Sequence, residues 1–248
     1  MPQVGIFGNW QESYGVNPTF SNMTLLDSGR NLKTWWNFED FYSVTDLYNC
    51  GIYRAGVNGA GASSIGAVAV SGRPGIVELS TGTTAAGYAG YYARNTFSLL
   101  FGTGKRVYET DIHIPILSTA IEEYILRLGF QDAIGGDAID GVYFEYDRTA
   151  NVNWLRCTAD NSARTKTDTG VAVGAAAWIR LKIVVAADGL SAEFFINNVS
   201  VGTNVANIPV GAGRHTTIMQ YILKTVGTTA RSLFIDWIWV HIDLTTSR

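Results

Sequence analysis

The sequence predicts an all-β protein: a two-sheet antiparallel β-sandwich with an irregular N-terminal arm. Short runs of residues alternate between apolar and polar, as in strands, where successive side chains point to opposite faces of a sheet. Turn residues separate these runs at spacings of roughly 8–12 residues, which is typical of sandwiches and barrels. No long stretch shows the periodicity of a helix. We therefore expect two sheets that each bury one face against the other.

The composition indicates a single domain with few surface charges. The chain has 248 residues, and all-β sandwiches of this length often form one domain. Hydrophobic residues make up 47% of the chain and charged residues 16%, whereas about 25% charged residues is typical of soluble domains. The formal net charge is −3, which argues against nucleic acid or an anionic membrane as a partner. No window approaches the roughly 18 apolar residues of a membrane span.

The chain has two cysteines, Cys50 and Cys157, which lie far apart in the sequence. The first residues lack the basic start and the apolar run of a secretory signal peptide, and disulfides are rare in proteins that are not exported. We therefore expect two free, buried thiols, with a disulfide between them as the alternative.

Residues 1–34 are polar, and few of their apolar residues recur at the period of a helix or a strand. We interpret this segment as an arm that docks on another protein of an assembly. Its aromatic anchors are predicted to be Trp10, Tyr14 and Phe20. The alternative is a pair of edge strands that belong to the main domain. The sandwich domain then comprises residues 35–248.

Most of the predicted strands follow residue 72. Glycine and alanine dominate residues 56–72, which we expect to form a loop at a contact between subunits, because small residues allow close backbone approach. Pro74-Gly75 predicts a turn before a strand at residues 76–79. Further strands are predicted at residues 91–101, 106–114, 121–130, 141–147, 153–158, 217–223 and 232–243.

The clearest strand pattern lies between Trp178 and Pro209. Apolar and more polar residues alternate in its first part, and the apolar set is Ile179, Leu181, Ile183 and Val185. Asp188-Gly189 tolerates positive φ and predicts a hairpin turn, after which the chain returns as residues 192–196. Asn197-Asn198 predicts a second turn that leads into a third strand.

This segment resembles the middle hairpin of the concanavalin A-like lectin and glucanase jelly roll, the sandwich shared by laminin-G-like and legume-lectin-like domains. The resemblance rests on Trp178, Leu181, Ile183, Asp188, Gly189, Phe195, Ile196 and Asn197. The run at residues 233–240 is similar to the closing strand of the same family. There we expect Asp236 to share a face with Ile238 and to be hydrogen-bonded, because a carboxylate on an apolar face needs a partner. The resemblance implies a jelly roll over about residues 36–244.

Residues 72–84 carry a second resemblance. Their sequence, GRPGIVELSTGTT, is similar to a segment of bacteriophage tail and other virion proteins built on this sandwich. The resemblance implies a non-enzymatic bacteriophage virion structural protein, either a capsid decoration protein or a head or tail fibre component. Such a protein would assemble in the host cytoplasm, dock on other virion proteins through its arm and form a homo-oligomer such as a trimer. The alternatives are a carbohydrate-binding receptor-recognition module of a tail fibre, which binds a host-surface glycan, and a glycan hydrolase.

Enzymes related to this jelly roll hydrolyse β-glucans with the strand pattern Glu-x-Asp-x-x-Glu. Glu145 and Asp147 match its first two acids, but Ala150 stands in the place of the third. Glycoside hydrolysis needs two carboxyl groups that flank the scissile bond, so we predict no catalytic residues. We expect the two acids to face solvent at the end of a strand.

Two binding sites are predicted in the same part of the chain. An exposed aromatic ring beside polar groups can stack on a sugar, and this predicts a glycan platform formed by Tyr143, Tyr146, Asn153 and Trp154. The alternative is that Trp154 fills the core. Calcium prefers several oxygen ligands from one flexible loop, and the candidate calcium ligands in a glycine-rich loop are Asp132, Asp137 and Asp140. The alternative there is an ordinary acidic loop, and no other cofactor is predicted.

Overall fold

The computed structural model describes residues 22–27, 31–37, 53–58, 63–70, 72–93 and 99–245. All regular elements within these residues are strands, and paired strands run antiparallel. The strands are β1 (Asn22–Asp27), β2 (Asn31–Asn37), β3 (Tyr53–Asn58), β4 (Ser64–Val70), β5 (Arg73–Ser80), β6 (Tyr88–Ala93), β7 (Gly104–His113), β8 (Glu123–Gln131), β9 (Gly141–Asp147), β10 (Asn153–Asp160), β11 (Ala163–Ala172), β12 (Trp178–Val185), β13 (Ala192–Ile196), β14 (Val199–Asn204), β15 (Thr217–Val226) and β16 (Ser232–Leu244). These residues include no helix that is long and apolar enough to cross a membrane.

Sheet I has nine strands within the described residues, in the order β1-β2-β16-β7-β12-β13-β14, with β5 and then β4 added beside β16. β16 is central, because β7 pairs with one of its edges and two strands share the other edge. Residues 232–235 of β16 pair with β5, and residues 237–243 pair with β2. Sheet I is therefore assembled from segments that are distant in the sequence.

Sheet II has seven strands in the described residues, in the order β11-β10-β9-β8-β15-β6-β3. The core lies between the two sheets and contains apolar side chains from both. The Phe144 ring of sheet II meets the Phe194 ring of sheet I edge to face, with 5.1 Å between the ring centroids. Trp154 lies 6.1 Å from Phe144 and is fully buried. The predicted all-β sandwich is confirmed.

The segment from β12 to β14 forms the predicted double hairpin. In β12 every second residue is buried, which matches the predicted apolar set. Gly189 has φ = 74° in the first turn, and Asn197 and Asn198 have φ = 49° and 66° in the second. Two successive left-handed residues are what a tight two-residue hairpin turn requires.

The predicted loop at residues 56–72 is wrong, because this segment contains the end of β3 and the whole of β4. β4 pairs with β5 from Ser64 to Val70. Its backbone forms hydrogen bonds with β5, and Ile65 contributes to the core. The strand can therefore form although most of its other side chains are small.

The predicted domain boundary after residue 34 falls inside β2. β1 and β2 form a hairpin, and β2 pairs with β16. Residues 22–27 and 31–37 therefore belong to sheet I, as in the edge-strand alternative. The three predicted aromatic anchors lie outside the described residues, so their docking role stays a prediction. Cys157 is a buried free thiol, whereas Cys50 lies outside the described residues.

Candidate functional site

The outward face of sheet I combines aromatic rings with charged side chains. In β7 and β12 the large apolar residues point into the core, so the residues between them point outward. The strand register aligns the outward residues in rows across the sheet. One row contains Trp237, Asp111 and Arg180, and the next contains Trp239, Glu109 and Lys182. Directly opposite residues have Cβ atoms about 4.5–5.5 Å apart, close enough for their side chains to interact.

Four of these side chains line a groove of about 290 Å³: Glu109, Arg180, Trp237 and Trp239. The guanidinium carbon of Arg180 lies 5.2 Å from the centroid of the Trp237 ring. Its Nε atom lies 3.7 Å from Oε1 of Glu109. Both indole rings are half-buried in the sheet. The groove therefore presents aromatic surface beside one anionic and one cationic group.

Next to the groove, Arg73 of β5 connects three other strands. Its guanidinium carbon lies 4.1 Å from the centroid of the Trp178 ring, and its Nη1 atom donates hydrogen bonds to Asp111 (2.8 Å) and to Asp236. Partial burial would lower the pKa of Arg73, but the two carboxylates outweigh this effect and raise the pKa. This pairing holds one side of the groove in place.

A β-bulge explains the position of Asp236. The register between β16 and β7 shifts between Ile235 and Trp237. Ile235 and Ile238 are both buried, whereas Asp236 and Trp237 lie on the outward face. The prediction that Asp236 shares a face with Ile238 is wrong, because the bulge inserts one extra residue into the alternation.

His113 extends the outward face beyond Arg73. Its ring stacks on Phe234 at an interplanar angle of 15° with 5.6 Å between the centroids, and it lies 5.3 Å from the Trp178 ring. Burial and the positive charge of Arg73 lower the pKa of His113. The neutral imidazole is therefore favoured at pH values near 7.

The predicted glycan platform is not formed by the residues predicted for it. Trp154 and Tyr143 have no exposed surface, and Tyr146 is 3% exposed. Tyr146 and Trp154 pack in the core between the sheets, whereas Tyr143 packs against Ala138 in the loop that follows β8. The side-chain amide of Asn153 donates a hydrogen bond to Asp168. Stacking on a sugar requires an exposed ring face, which these three rings lack.

Glu145 does not face solvent, and that prediction is wrong. Its side chain is completely buried on the outward side of sheet II. Oε2 accepts a hydrogen bond from Arg127 Nε and Oε1 accepts one from Lys166 Nζ, both at 2.6 Å. Arg127 also donates to the Tyr221 hydroxyl and to the Gly136 carbonyl, so the loop between β8 and β9 covers this ion pair.

The three acids of the predicted calcium loop point to separate protein groups. Asp132 accepts a hydrogen bond from a backbone nitrogen of its own loop (2.9 Å), and Asp140 accepts one from the backbone nitrogen of Asn161 (2.8 Å). Asp137 pairs with Arg127. In the part of the chain that the structure describes, no group of three or more His, Cys, Asp or Glu side chains is arranged to hold a metal ion. Calcium stays a sequence-based prediction without a ligand cluster to support it.

The sequence-based predictions did not include the groove residues. Glu109 and Arg180 have the pattern of ordinary polar positions in alternating strands. A usable signal was present in β16, where Trp237 and Trp239 flank the apolar Ile238. Since successive strand residues face opposite sides, burial of Ile238 requires both tryptophans to face outward.

Comparison with protein families matches residues 72–236, more than half of the chain, to the family described as "SO2946-like, C-terminal domain". Comparison with curated protein sequences gives no match.

The structure is similar to solved structures that share little sequence with it. SO2946, a protein of unknown function from Shewanella oneidensis MR-1, aligns with a TM-score of 0.66 and 14% identity over 92% of this chain and 93% of its own. A prokaryotic β-1,3-1,4-glucanase (lichenase) derived from a mouse hindgut metagenome aligns with a TM-score of 0.54 and 15% identity, covering 86% and 99% of the two chains. Peanut lectin aligns with a TM-score of 0.54 and 8% identity, covering 88% and 99%. The fold is therefore the jelly roll of concanavalin A-like lectins and glucanases.

Proposed function

This chain belongs to the SO2946-like family, and from its own surface we propose that it is a non-catalytic carbohydrate-binding protein. The proposed ligand is a β-linked glucan that binds in the groove of sheet I. One observation carries the proposal: two half-buried indole rings lie in a single groove together with a carboxylate and a guanidinium.

The two indoles supply the apolar contact that a sugar ring needs. A β-linked glucose unit carries its hydroxyls around its edge and presents two apolar faces, which suit flat aromatic rings. Trp237 and Trp239 lie two residues apart on the same face of β16, which separates them by about 7 Å along the strand. Aromatic side chains provide large contact areas. The lichenase among the structural neighbours is a β-1,3-1,4-glucanase, and this supports the choice of a glucan.

The two charged side chains supply the directional contacts. The 3.7 Å between Arg180 Nε and Glu109 Oε1 is too long for a direct hydrogen bond. Glu109 can therefore accept hydrogen bonds from sugar hydroxyls, and Arg180 can donate to them. Such contacts beside an aromatic surface would fix the orientation of a bound ring.

The carboxylates support binding without hydrolysis. Glycoside hydrolysis uses a pair of carboxyl groups about 5–10 Å apart on either side of the bond. Among the described residues that line the groove, only Glu109 is a carboxylate, and Asp111 beside it is bonded to Arg73. Glu145 on sheet II is buried in its own ion pair. This arrangement favours a lectin-like role over the hydrolase alternative.

Isothermal titration calorimetry with cellohexaose and with barley mixed-linkage β-glucan tests the proposal. We expect the wild-type protein to bind at least one of them and the Trp237→Ala/Trp239→Ala variant to bind neither. Leu190→Ala, in an exposed turn away from the groove, is the matched control and should bind as the wild type does.

Three results would count against the proposal. Failure of the wild type to bind either glucan would refute it. Binding that survives in the double tryptophan variant would place the glycan elsewhere. Release of reducing ends from the β-glucan during incubation would show that the protein is an enzyme. Circular dichroism of each variant excludes a trivial loss of folding.

A second proposal concerns the setting of this activity. The resemblance of residues 72–84 to segments of virion proteins supports a structural component of a bacteriophage particle that recognises a host-surface glycan. Negative-stain microscopy of the protein mixed with phage heads and tails tests this, with docking lost on deletion of residues 1–21. A longer deletion to residue 34 would also remove β1 and part of β2. Light scattering measures the proposed homo-oligomer, and a monomer that ignores virion parts would refute this proposal.

A further inference from the structure

We infer that the glycan lies across the strands of sheet I and that Phe195 forms a second aromatic subsite, so that the ligand is an extended oligosaccharide. This inference rests on the proposed function of the groove. It adds a residue that lies outside the groove, together with a direction and a minimum length for the ligand.

The row of residues that contains Trp239 continues past the groove. Trp239 of β16 lies opposite Glu109 of β7, and Glu109 lies opposite Lys182 of β12. Lys182 in turn lies opposite Phe195 of β13. Three inter-strand spacings therefore separate the two aromatic residues, which corresponds to about 14 Å. One sugar ring cannot reach both residues, whereas an oligosaccharide can.

The side chain of Phe195 has the position and environment of a subsite. Its neighbours Phe194 and Ile196 are buried in the core, so Phe195 points outward and stays partly exposed. The Lys182 Nζ atom lies 5.5 Å from the centroid of its ring. Lys182 could donate a hydrogen bond to a sugar that stacked on this ring. This part of the row thus has an aromatic residue on either side of an acid and a base.

The other direction, along β16, is already occupied by protein groups. One face of the Phe234 ring is stacked on His113. The Trp178 ring is covered by the Arg73 guanidinium at 4.1 Å. Phe195 also has a cation near its ring, but Lys182 Nζ lies farther away, at 5.5 Å, and its flexible stem lets a ligand displace it. Arg73 is instead held over Trp178 by two carboxylates. This difference favours a path from Trp239 towards Phe195.

A ladder of cello-oligosaccharides from the disaccharide to the hexasaccharide tests the inference by calorimetry. For the wild type we expect affinity to rise with chain length until the ligand reaches Phe195, and then to level off. Phe195→Ala should weaken hexasaccharide binding about tenfold, the upper range for one aromatic contact, and leave the disaccharide affinity unchanged. Trp239→Ala should weaken binding of every length. Phe234→Ala is the matched control and should leave the length dependence intact.

The outcomes separate this inference from the proposed function. If no cello-oligosaccharide binds the wild type, the glucan proposal itself fails. If the ligands bind but Phe195→Ala has the same length dependence as the wild type, the groove is a sugar site and the subsite at Phe195 is wrong. A selective loss of hexasaccharide binding in Phe234→Ala would show that the ligand runs along the strands.

Discussion

Removal of the Glu145 carboxylate should lower this protein's free energy of unfolding by a large fraction of its total. In Glu145→Ala, the buried guanidinium of Arg127 loses the carboxylate oxygen that accepts its hydrogen bond at 2.6 Å. Lys166 loses its hydrogen bond to the second oxygen of the same carboxylate. Breaking a buried ion pair by deleting one partner costs about 3–5 kcal/mol. Asp137 and the Tyr221 hydroxyl still contact Arg127, so we expect a loss near the lower end, about 3 kcal/mol. Domains of this kind have a total stability of about 5–15 kcal/mol.

Urea denaturation followed by tryptophan fluorescence measures this loss as a free energy of unfolding. The control is the double variant Arg127→Met/Glu145→Leu, which replaces the pair by apolar side chains of similar volume. Such replacements are often neutral or stabilising, so the double variant should be more stable than Glu145→Ala. A loss below about 1 kcal/mol in Glu145→Ala, the scale of an exposed pair, would refute the conclusion that this pair is sealed from solvent. A double variant less stable than Glu145→Ala would refute the assignment of the loss to an unpaired charge.

Three further predictions concern packing, pH and thiol chemistry. A Cβ atom on Gly90 would lie 2.4 Å from a Cβ atom of β15, whereas one on Gly66 would meet nothing within 4 Å. Gly90→Ala should therefore lower the free energy of unfolding, measured by urea denaturation, by about 1–3 kcal/mol. Gly66→Ala should stay within about 0.5 kcal/mol of the wild type. Equal losses in the two variants would contradict the close approach of β15 to Gly90. The pKa of His113 is lowered in the folded protein, so the unfolded state binds the proton of this imidazole more readily. The free energy of unfolding should therefore fall as pH drops below about 6.5. In His113→Gln the free energy of unfolding should depend less steeply on pH in this range. Burial raises the pKa of the Cys157 thiol, so in a Cys50→Ser background it should react with Ellman's reagent only after unfolding, and rapid native reaction would show that it is exposed.

The sequence was sufficient to predict a strand where one face of that strand packs against the core. β12 has strict apolar positions that fix both its bounds and its phase. β4 was missed because its glycines and alanines give no such signal. β11 was missed because its alternating Thr, Lys and Asp residues lie on an exposed edge of sheet II. Pairing with a neighbour, which the local sequence does not encode, makes both segments into strands.

The site was less predictable than the fold because it depends on pairing between distant strands. Glu109 and Arg180 become neighbours only through the register of β7 with β12. The error at Tyr143 and Glu145 has the opposite cause. Their positions on the outward face of sheet II agree with the alternation, but alternation cannot reveal that the loop between β8 and β9 covers that face.

The central position of β16 has a consequence for biosynthesis. Before residues 232–244 leave the ribosome, sheet I exists only as separate parts: the β1-β2 hairpin, the β4-β5 hairpin and the group β7-β12-β13-β14. Each part has an open edge and an apolar face without its full cover, which are the features that invite aggregation and chaperone binding. A nascent chain stalled before residue 232 is therefore expected to be held by chaperones and cut readily by proteases. Closure of the sandwich waits for a single strand that joins all three parts at once.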